Sequence, residues 1–488
     1  MRPLPSRARR GAALAALVLA GGLLPTAGTA AETGLIPPAP GHALTTDNVT
    51  FHGTIPIDSP GVGGEVVVRE DLGGRTFFYV TGAYGLSIYD VSEPAAPELA
   101  GHLAFPHSQN EDLKVSDDGT RAVLAADGSL PFSPNEVTTG VHIVDTTDVT
   151  NPLLVGSTSP LVRGAAAELG TPEHTVTCAD AACDFLYGSS SGDIYDATDP
   201  ADITVVGKWN VDAGGEAVPS RHALNRDASG LLISDSSPRL VLDPVGVVDP
   251  SATPADPVVL SQGQRAEQDP RVQHNNIRPG AEQWRPRAGD PVTTVTVEPP
   301  ARSKSVTNQR PVMRPGELFI GVSESNLNAG CTNGGGLSTW SMANFDQGAP
   351  LQQLEVFQPV QGTWVDDGNP AINVGGCSAH WFTERDGLVA GSWYEHGVRF
   401  FDIDPRVGTI TEIGYFQPVT GISSASYWID DEYVYSVDNL RGIDILSFDR
   451  DGARPTQAAL EASWLSGLGR VSPVAAADRY WCRLASSS

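Results

Sequence analysis

Four of the ten histidines in this 488-residue chain occupy one recurring position, about six residues before the turn that ends a short strand of a sequence repeat. They are His174, His222, His274 and His380. In the other repeats the same position holds Glu65, Asp112 and Ser426. Imidazole and carboxylate groups are the nitrogen and oxygen ligands that zinc, copper(II) and iron(II) accept. If the fold brings these positions together, they predict a transition-metal site, with copper or zinc as the metal.

The elements that must position these residues are the strands of an internal repeat. A glycine, alternating apolar residues and an aspartate form a phrase that is followed by a turn and a second short strand, as in GLSIYDVSEPAAPELAGHLAF from Gly85 and GVHIVDTTDVTNPLLVGSTSP from Gly140. The anchors that end this phrase are Asp90, Asp145, Asp196, Asp243, Met342, Asp402 and Leu446. Two further strands joined by a tight turn precede most anchors, as in LKVSDDGTRAVLAA from Leu113. Each unit therefore contains four short strands with the two-residue alternation of half-buried sheets.

Seven four-stranded units of roughly 50 residues are typical of a β-propeller. The sequence therefore predicts an all-β fold, a seven-bladed β-propeller, because independent sandwiches would share no phrase at blade spacing. The last unit lacks an outer strand, whereas residues 49–57 resemble an outer strand without inner strands of its own. We expect this N-terminal strand to close the ring by completing the seventh blade, which also removes an exposed sheet edge.

The innermost strands of a propeller line its central channel, so one equivalent residue per blade converges on the axis. The converging histidines and carboxylates have two interpretations: a metal site, or a ring of hydrated polar side chains that fills the channel. The aspartates that end the repeat phrase are predicted to cap turns rather than to act in catalysis. The sequence contains no phosphate-binding loop, serine-nucleophile elbow or HExxH pair in a suitable context, so no nucleotide cofactor is expected.

The charge balance excludes one large class of partners. The chain has 31 basic and 58 acidic residues, a net charge of −27, so its surface repels a phosphate backbone and no nucleic-acid partner is expected. Residues 278–315 form a Pro- and Arg-rich insertion in the fifth repeat, which we interpret as a contact surface, a lid or a solvated loop. Residues 451–488 are a C-terminal tail. We expect a monomer.

The N-terminus has the layout of a secretory signal. Basic residues from Arg2 to Arg10 precede an apolar run, Ala12 to Leu24, and small residues follow as far as Ala31. This pattern predicts a signal peptide over residues 1–31, a secreted protein, an extension over residues 32–48 and a propeller over residues 49–450. No other segment approaches the length of a membrane-spanning apolar helix, so no membrane span is expected.

Five cysteines in an exported chain permit disulfides. Cys178 and Cys183 lie close together across a predicted tight turn, and we expect them to be paired. Cys331 and Cys377 both flank glycine-rich turns and form the preferred second pair. Sequence alone does not fix this second connection, because Cys482 could instead take either partner.

The phrase GVHIVDTTDVTNP from Gly140 resembles the LVIVD-repeat proteins, and the resemblance extends over residues 49 to 450. It implies a seven-bladed propeller and no particular activity. A more distant similarity to the selenium-binding and methanethiol oxidase propellers implies metal-binding histidines on the axis. Two functional classes therefore remain open. One is a metal-dependent oxidoreductase that acts on a small molecule; the other is a secreted scaffold that binds an extracellular protein or polysaccharide.

Overall fold

The computed structural model describes part of the chain. The described residues are 35, 43–56, 61–82, 85–105, 113–126, 139–159, 172–209, 224–234, 245–251, 253–263, 272–300, 303–324, 335–358, 377–418 and 421–452. Contacts between Cα atoms divide the chain into Met1–Glu32 and Thr33–Ser488, and every described residue belongs to the second unit. Asp112, His222 and Asp243 lie outside the described residues, as do Cys331 and Cys482.

Seven antiparallel sheets form the blades, and the strands of each blade follow one another from the inner to the outer edge. Blade one is β3 (Gly61–Arg69), β4 (Arg75–Gly82), β5 (Gly85–Asp90) and β6 (Glu98–Ala104). Blade two is β7 (Leu113–Val115), β8 (Arg121–Ala126), β9 (Gly140–Asp145) and β10 (Leu153–Ser157). Blade three is β11 (Val176–Cys178), β12 (Phe185–Gly188), β13 (Asp193–Asp196) and β14 (Thr204–Lys208). Blade four is β15 (Leu224–Arg226), β16 (Leu232–Ser234), β17 (Val245–Asp249) and β18 (Val258–Gly263).

The last three blades depart from this plan at their outer edges. Blade five is β19 (Val272–Ile277), β23 (Leu318–Glu324), β24 (Leu337–Ser341), β25 (Gln352–Phe357) and a fifth strand, β21 (Ser303–Ser305). Blade six is β26 (Phe382–Arg385), β27 (Leu388–Ser392), β28 (Val398–Ile403), β29 (Ile410–Pro418) and β1 (Ala43–Thr45). Blade seven is β30 (Ser423–Trp428), β31 (Tyr433–Asp438), β32 (Gly442–Phe448) and β2 (Val49–Ile55). A separate hairpin pairs β20 (Thr294–Thr296) with β22 (Gln309–Pro311).

The helical content of the described residues is limited to short 3₁₀ turns. These are Glu70–Leu72, Pro200–Asp202, Ala281–Gln283 and Phe345–Gln347. No helix in this part of the chain has the length and apolar character that crossing a membrane requires.

The inner strands form a closed ring. Each contacts the inner strand of the next blade, in the order β3, β7, β11, β15, β19, β26 and β30, and β30 contacts β3 again. The predicted all-β, seven-bladed propeller is therefore confirmed. Neighbouring strands of a blade are antiparallel. The connections between second and third strands and the connections between blades therefore lie at the same end of the ring, where the inner strands begin. The longest connections between strands at that end of the ring run from Phe357 to Phe382 and from Ser157 to Val176.

The core lies between the blades rather than inside any one of them. Seven apolar clusters of described residues fill the seven junctions between neighbouring sheets. Alternation in β4 shows the cause: Phe77 and Tyr79 pack against blade two, whereas Phe78 and Val80 pack against blade seven. Successive side chains point to opposite faces of a strand, so a strand that is apolar throughout is buried on both sides.

The N-terminal strand closes the ring as predicted. β2 pairs antiparallel with β32, from Val49 opposite Phe448 to Ile55 opposite Ile443. The Thr54 hydroxyl donates to Asp444 of β32, and Val49 and Ile55 are buried. β1 had no counterpart in the sequence prediction; it adds a fifth strand to blade six through Leu44, which lies opposite Gln417.

A glycine in the outer strand controls how closely consecutive blades pack. The ladder between the third and fourth strands has a bulge in all seven blades. Beside this bulge stand Gly101, Gly156 and Gly207 of blades one to three. A Cβ atom on each would lie 2.1, 2.3 and 2.3 Å from a carbonyl oxygen in the next blade. A side chain there would therefore push neighbouring blades apart.

The aspartates that end the repeat phrase cap turns. The side chains of Asp90, Asp145 and Asp196 each accept a hydrogen bond from the backbone N–H two residues later. In blade six Asp404 makes this contact, with the N–H of Arg406. In blade four it belongs to Asp249, the last residue of β17, so the predicted anchor at Asp243 is six residues too early.

Three arginines of the insertion over residues 278–315 form buried ion pairs with the sheets. Arg310 pairs with Glu355 at 2.5 Å, and both side chains are fully buried. Two further buried pairs join the insertion to blades four and five, Arg278–Asp227 and Arg287–Glu317. These pairs, together with β21, attach the insertion to the sheets. Its excess of arginine therefore has a structural explanation within the fold.

The predicted local disulfide is present between Cys178 and Cys183. It closes the turn between β11 and β12, next to the apolar cluster that joins blades two and three. Cys377 is also disulfide-bonded, and its candidate partners, Cys331 and Cys482, lie outside the described residues. The second connection therefore stays as open as the sequence left it.

Glu173 gives the fold a pH dependence. Its buried carboxylate accepts hydrogen bonds from the Ser190 and Ser191 N–H groups and the Tyr195 hydroxyl, and burial raises its pKa from 4.5 to about 7. A carboxyl group with a raised pKa stabilises the fold fully below pH 4.5, and this contribution is lost as the pH rises through 7. Between these two pH values the wild-type free energy of unfolding should therefore fall by about 3 kcal/mol because of Glu173. We expect this fall to be absent from the Glu173→Gln variant.

The measurement is urea unfolding of both proteins at pH 5 and pH 8. Glu98→Gln, at an exposed strand end, is the control and should keep the wild-type pH dependence. An unchanged pH dependence in the Glu173 variant would contradict the prediction. Asp438, whose pKa burial also raises to about 7, contributes to the dependence that remains.

Candidate metal centre

The structure brings two of the predicted site residues into contact. His274 lies near the start of β19, the inner strand of blade five, and His380 lies two residues before β26, the inner strand of blade six. Their ring centroids are 3.9 Å apart. The side chain of His274 is fully buried, and His380 is 3% exposed. Two imidazoles from different blades therefore meet inside the ring.

A bulge in the inner strand of blade five coincides with His274. The register of β19 against β23 passes from Gln273 opposite Ser323 to Asn275 opposite Val322, so His274 is the extra residue. A bulge changes the direction of a side chain relative to a regular strand, and bulges are frequent beside functional sites. Asn275 then anchors the strand, because its side-chain amide donates to the Phe382 carbonyl in blade six.

The third member of the site is Glu324, which the repeat pattern did not indicate. It is the last residue of β23, and its Oε2 lies 3.8 Å from Nε2 of His274. One ligand atom from each of His274, Glu324 and His380 lies within 4.8 Å of the other two. The glutamate is 20% exposed and so lies at the more open side of the pair of histidines.

A backbone carbonyl fixes the orientation of His380. Nδ1 of His380 lies 2.7 Å from the Ser424 oxygen, which also accepts the Trp381 N–H at 3.2 Å. Because a carbonyl oxygen only accepts, Nδ1 of the neutral ring carries the proton and Nε2 keeps its lone pair. Metal-binding histidines commonly have this arrangement, with one ring nitrogen held by the protein and the other available to the ion. Ser424 itself is the bulge residue of β30.

Aromatic rings enclose the site. The indole of Trp381 contacts the His274 ring edge-on, with centroids 6.0 Å apart, and the ring of Tyr394 lies 5.1 Å from His380. The Tyr394 hydroxyl donates to Oε1 of Glu324. Rings that exclude water raise the strength of any electrostatic interaction inside the cluster.

The remaining predicted ligands that the structure describes do not join this cluster. Glu65 is half-buried on β3 and accepts the Val115 N–H at 3.2 Å; burial raises its pKa, and Lys114 opposes that shift. His174 lies in blade three, where its N–H donates to the Ser190 hydroxyl. Ser426 shares a hydrogen bond with Ser392. Asp112 and His222 lie outside the described residues, so their contribution stays a prediction.

An axial cavity of 460 Å³ lies farther along the channel. Its lining includes Asn275 and Trp381, each the residue that follows a site histidine, together with Glu65 and Lys114. The inner strands therefore run from the histidine cluster toward the cavity. Glu65 belongs to the cavity and not to the cluster, which separates the predicted ring into two levels.

A second alignment of the sequence would have indicated Glu324. The last residues of the second strands are Gly82, Ala126, Gly188, Ser234, Glu324, Ser392 and Asp438. Small residues occupy five of these seven positions, so the two carboxylates, Glu324 and Asp438, depart from the pattern, and only Glu324 lies beside the histidines. The recurring histidine position lies where the inner strand begins. The antiparallel second strand ends at the same end of the blade, so its last residue lies close to the histidine position.

The donor set suits a transition-metal ion. Two imidazoles and one carboxylate hold catalytic zinc in some enzymes and non-heme iron(II) in others, with coordination positions left for water or substrate. Thiolate and thioether ligands, which copper(I) prefers, are absent from the cluster. The fixed Nε2 lone pair of His380 and the converging Oε2 of Glu324 are the features that fit an ion.

No family model matches the chain, and no curated protein matches it. Among solved structures, the chain is similar to the β-propeller domain of Cps50 (Swd1) from Myceliophteria thermophila, with 13% sequence identity and a TM-score of 0.49. The match covers 82% of this chain and 100% of that domain. The assignment of the fold rests on the strand order and the closed ring of inner strands, and the resemblance to LVIVD-repeat proteins stays a prediction.

Proposed function

We propose that this chain is a secreted LVIVD-repeat propeller that binds one transition-metal ion through His274, His380 and Glu324 and uses it to oxidise a small molecule. The observation that carries the proposal is the convergence of three ligand atoms within 4.8 Å, from two blades. A channel lining needs polar side chains but does not need them to point at one another. The close contact of two imidazoles with a carboxylate is what an ion requires.

The number of ligands found among the described residues favours catalysis over a structural role. Structural zinc sites have four protein ligands, whereas catalytic sites have three and keep an open position. The site lies at the end of the ring that carries the connections Phe357–Phe382 and Ser157–Val176, and loops on a rigid scaffold commonly carry recognition. Bound there, a redox-active copper or iron ion would pass the electrons released by the small molecule to an external acceptor such as dioxygen. Oxidation as the reaction is supported by the distant resemblance to methanethiol oxidase propellers.

Secretion is supported by the N-terminal pattern and by the disulfide chemistry. Residues 1–31 have the layout of a signal peptide, and disulfides persist in oxidising compartments. The Cys178–Cys183 bond and the bonded Cys377 are compatible with such a compartment. An extracytoplasmic propeller would then acquire its metal after export.

The proposal predicts one metal ion per chain and its loss from two histidine variants. Wild type, His274→Ala and His380→Ala are supplied with copper, zinc and iron(II) in turn, dialysed against a weak chelator and analysed by plasma mass spectrometry. We expect both variants to lose most of the bound metal, because each loses one of three ligands, and to keep the circular dichroism spectrum of the blades. His102→Ala is the matched control, since His102 is exposed on the outer strand β6.

The outcomes separate the two functional classes. Stoichiometric metal in wild type and in the His102 variant, with loss from both site variants, supports the proposal. If wild type retains no metal after any of the three ions, the cluster is a polar channel lining and the chain is a scaffold that binds an extracellular partner. Equal metal in all four proteins would place the ion elsewhere and would also overturn the proposed site.

A further inference from the structure

We infer that Tyr394 is a positioning residue for the metal centre, which orients Glu324 so that a single carboxylate oxygen faces the histidines. The inference rests on the proposed function of the same site. It concerns a residue that no repeat pattern identified, because Tyr394 lies between β27 and β28 rather than on an inner strand.

The backbone of Tyr394 adopts a conformation that a bulky residue rarely takes. Its φ angle is +38°, in the left-handed region that favours glycine. Backbone strain of this kind persists only where surrounding contacts determine it, and it clusters at functional sites. In this propeller the strained residue lies beside the only group of three potential ligands found among the described residues.

Backbone hydrogen bonds hold Tyr394 in this conformation. The Gly397 N–H donates to its carbonyl oxygen at 3.1 Å, and the Ser423 N–H donates to the same oxygen at 3.0 Å. The second contact forms an isolated bridge to the start of β30, one residue before Ser424. The same short segment of blade seven therefore holds both Tyr394 and, through the Ser424 oxygen, His380.

The strained backbone directs the phenol inward. Tyr394 is 5% exposed, its ring lies 5.1 Å from that of His380, and its hydroxyl donates to Oε1 of Glu324 in blade five. The other oxygen of Glu324, Oε2, is the one that lies 3.8 Å from Nε2 of His274. The two oxygens thus have different roles, one held by the phenol and the other facing the imidazoles.

This division has a chemical consequence. A carboxylate that binds a metal with both oxygens occupies two coordination positions, whereas one that binds with a single oxygen leaves a position free. The phenol hydrogen bond to Oε1 favours the single-oxygen mode and fixes the torsion angles of Glu324 before the ion arrives. Groups that hold ligands in this way commonly change metal affinity by about 10- to 100-fold.

The test uses Tyr394→Phe, which removes only the hydroxyl and keeps the ring. Zinc affinity is measured by competition with a chromophoric chelator, and the visible spectrum of the cobalt(II)-substituted protein reports the coordination geometry. We expect the zinc Kd of the variant to rise about 10- to 100-fold and its cobalt spectrum to change. Tyr187→Phe is the matched control, because it removes another buried phenol hydrogen bond, to the Pro254 carbonyl at 2.5 Å. It should leave both readouts at wild-type values.

A double-mutant cycle separates positioning from a general structural effect. If Tyr394 acts through Glu324, adding Tyr394→Phe to Glu324→Ala should not weaken zinc binding further. Equal losses in both backgrounds would overturn the inference, as would wild-type affinity and an unchanged cobalt spectrum in the single variant. In these cases metal binding by wild type still stands. If wild type binds neither zinc nor cobalt, the proposed metal site and this inference both fail.

Discussion

A chain that lacks residues 32–57 is expected to aggregate and to lose its cooperative unfolding transition. The deletion removes β1, the fifth strand of blade six, and β2, which is the outer strand of blade seven and pairs with β32 over its whole length. It exposes the unpaired edge of β32 and the apolar side chains that Val49 and Ile55 cover. An exposed, flat, apolar edge is a template for pairing with other chains. Size-exclusion chromatography and thermal melting measure the two effects.

A shorter deletion provides the control. Removing residues 32–42 leaves both β1 and β2 in place and takes away, among the described residues, only the packing of Leu35 against the apolar cluster between blades seven and one. This protein should therefore elute as wild type does and melt cooperatively at a slightly lower temperature. A soluble 32–57 deletion with a sharp melting transition would show that the ring does not need its closing strand.

Arg310→Ala is expected to lower the free energy of unfolding by about 3–5 kcal/mol, because it leaves the buried Glu355 carboxylate without its partner. Glu355 also accepts the Ile410 N–H at 3.0 Å, and Arg310 donates to the Val407 carbonyl at 3.0 Å. The pair thus joins the insertion and β25 to the turn between the third and fourth strands of blade six. Urea unfolding measures the loss.

Two further proteins sharpen this prediction. Arg314→Ala breaks a pair with Asp290 in the same insertion, but both side chains are exposed, so its effect should stay below about 1 kcal/mol. Replacing both members, as Arg310→Met with Glu355→Leu, removes the uncompensated charge and should restore much of the stability. Equal losses for Arg310→Ala and Arg314→Ala would show that the buried pair has no special weight.

The fold could be predicted from the sequence because the same structural requirements recur in each blade. Asp90, Asp145 and Asp196, which end third strands, supply an acceptor for an N–H group of the following turn. The fourth strand needs a glycine at its bulge, because its backbone there approaches the neighbouring blade. These requirements leave a recurring phrase. Blade four misled the alignment because VLDP and VVDP, ending at Pro244 and Pro250, both satisfy it. Only the pairing of β17 with β18 distinguishes them.

The site was only half accessible. His274 and His380 stood out because their position repeats from blade to blade. Glu324 and Tyr394 belong to a second strand and to a connection, and their approach depends on the angle between blades five and six. The bulge at His274 also leaves no mark in the sequence, since the residue types around it fit a regular strand. Convergence across blades is a property of the assembled ring and not of any one repeat.

Closure by β2 also sets a condition on the order of folding. Val49 and its partner Phe448 are 399 positions apart, the difference between their residue numbers. A strand that emerges first must therefore remain unpaired until the other blades have been synthesised. Contacts of such long range form late and slowly, because a long loop must close before they contribute. Until then the nascent protein is an open arc, and factors that hold unfolded chains would act on it at this stage.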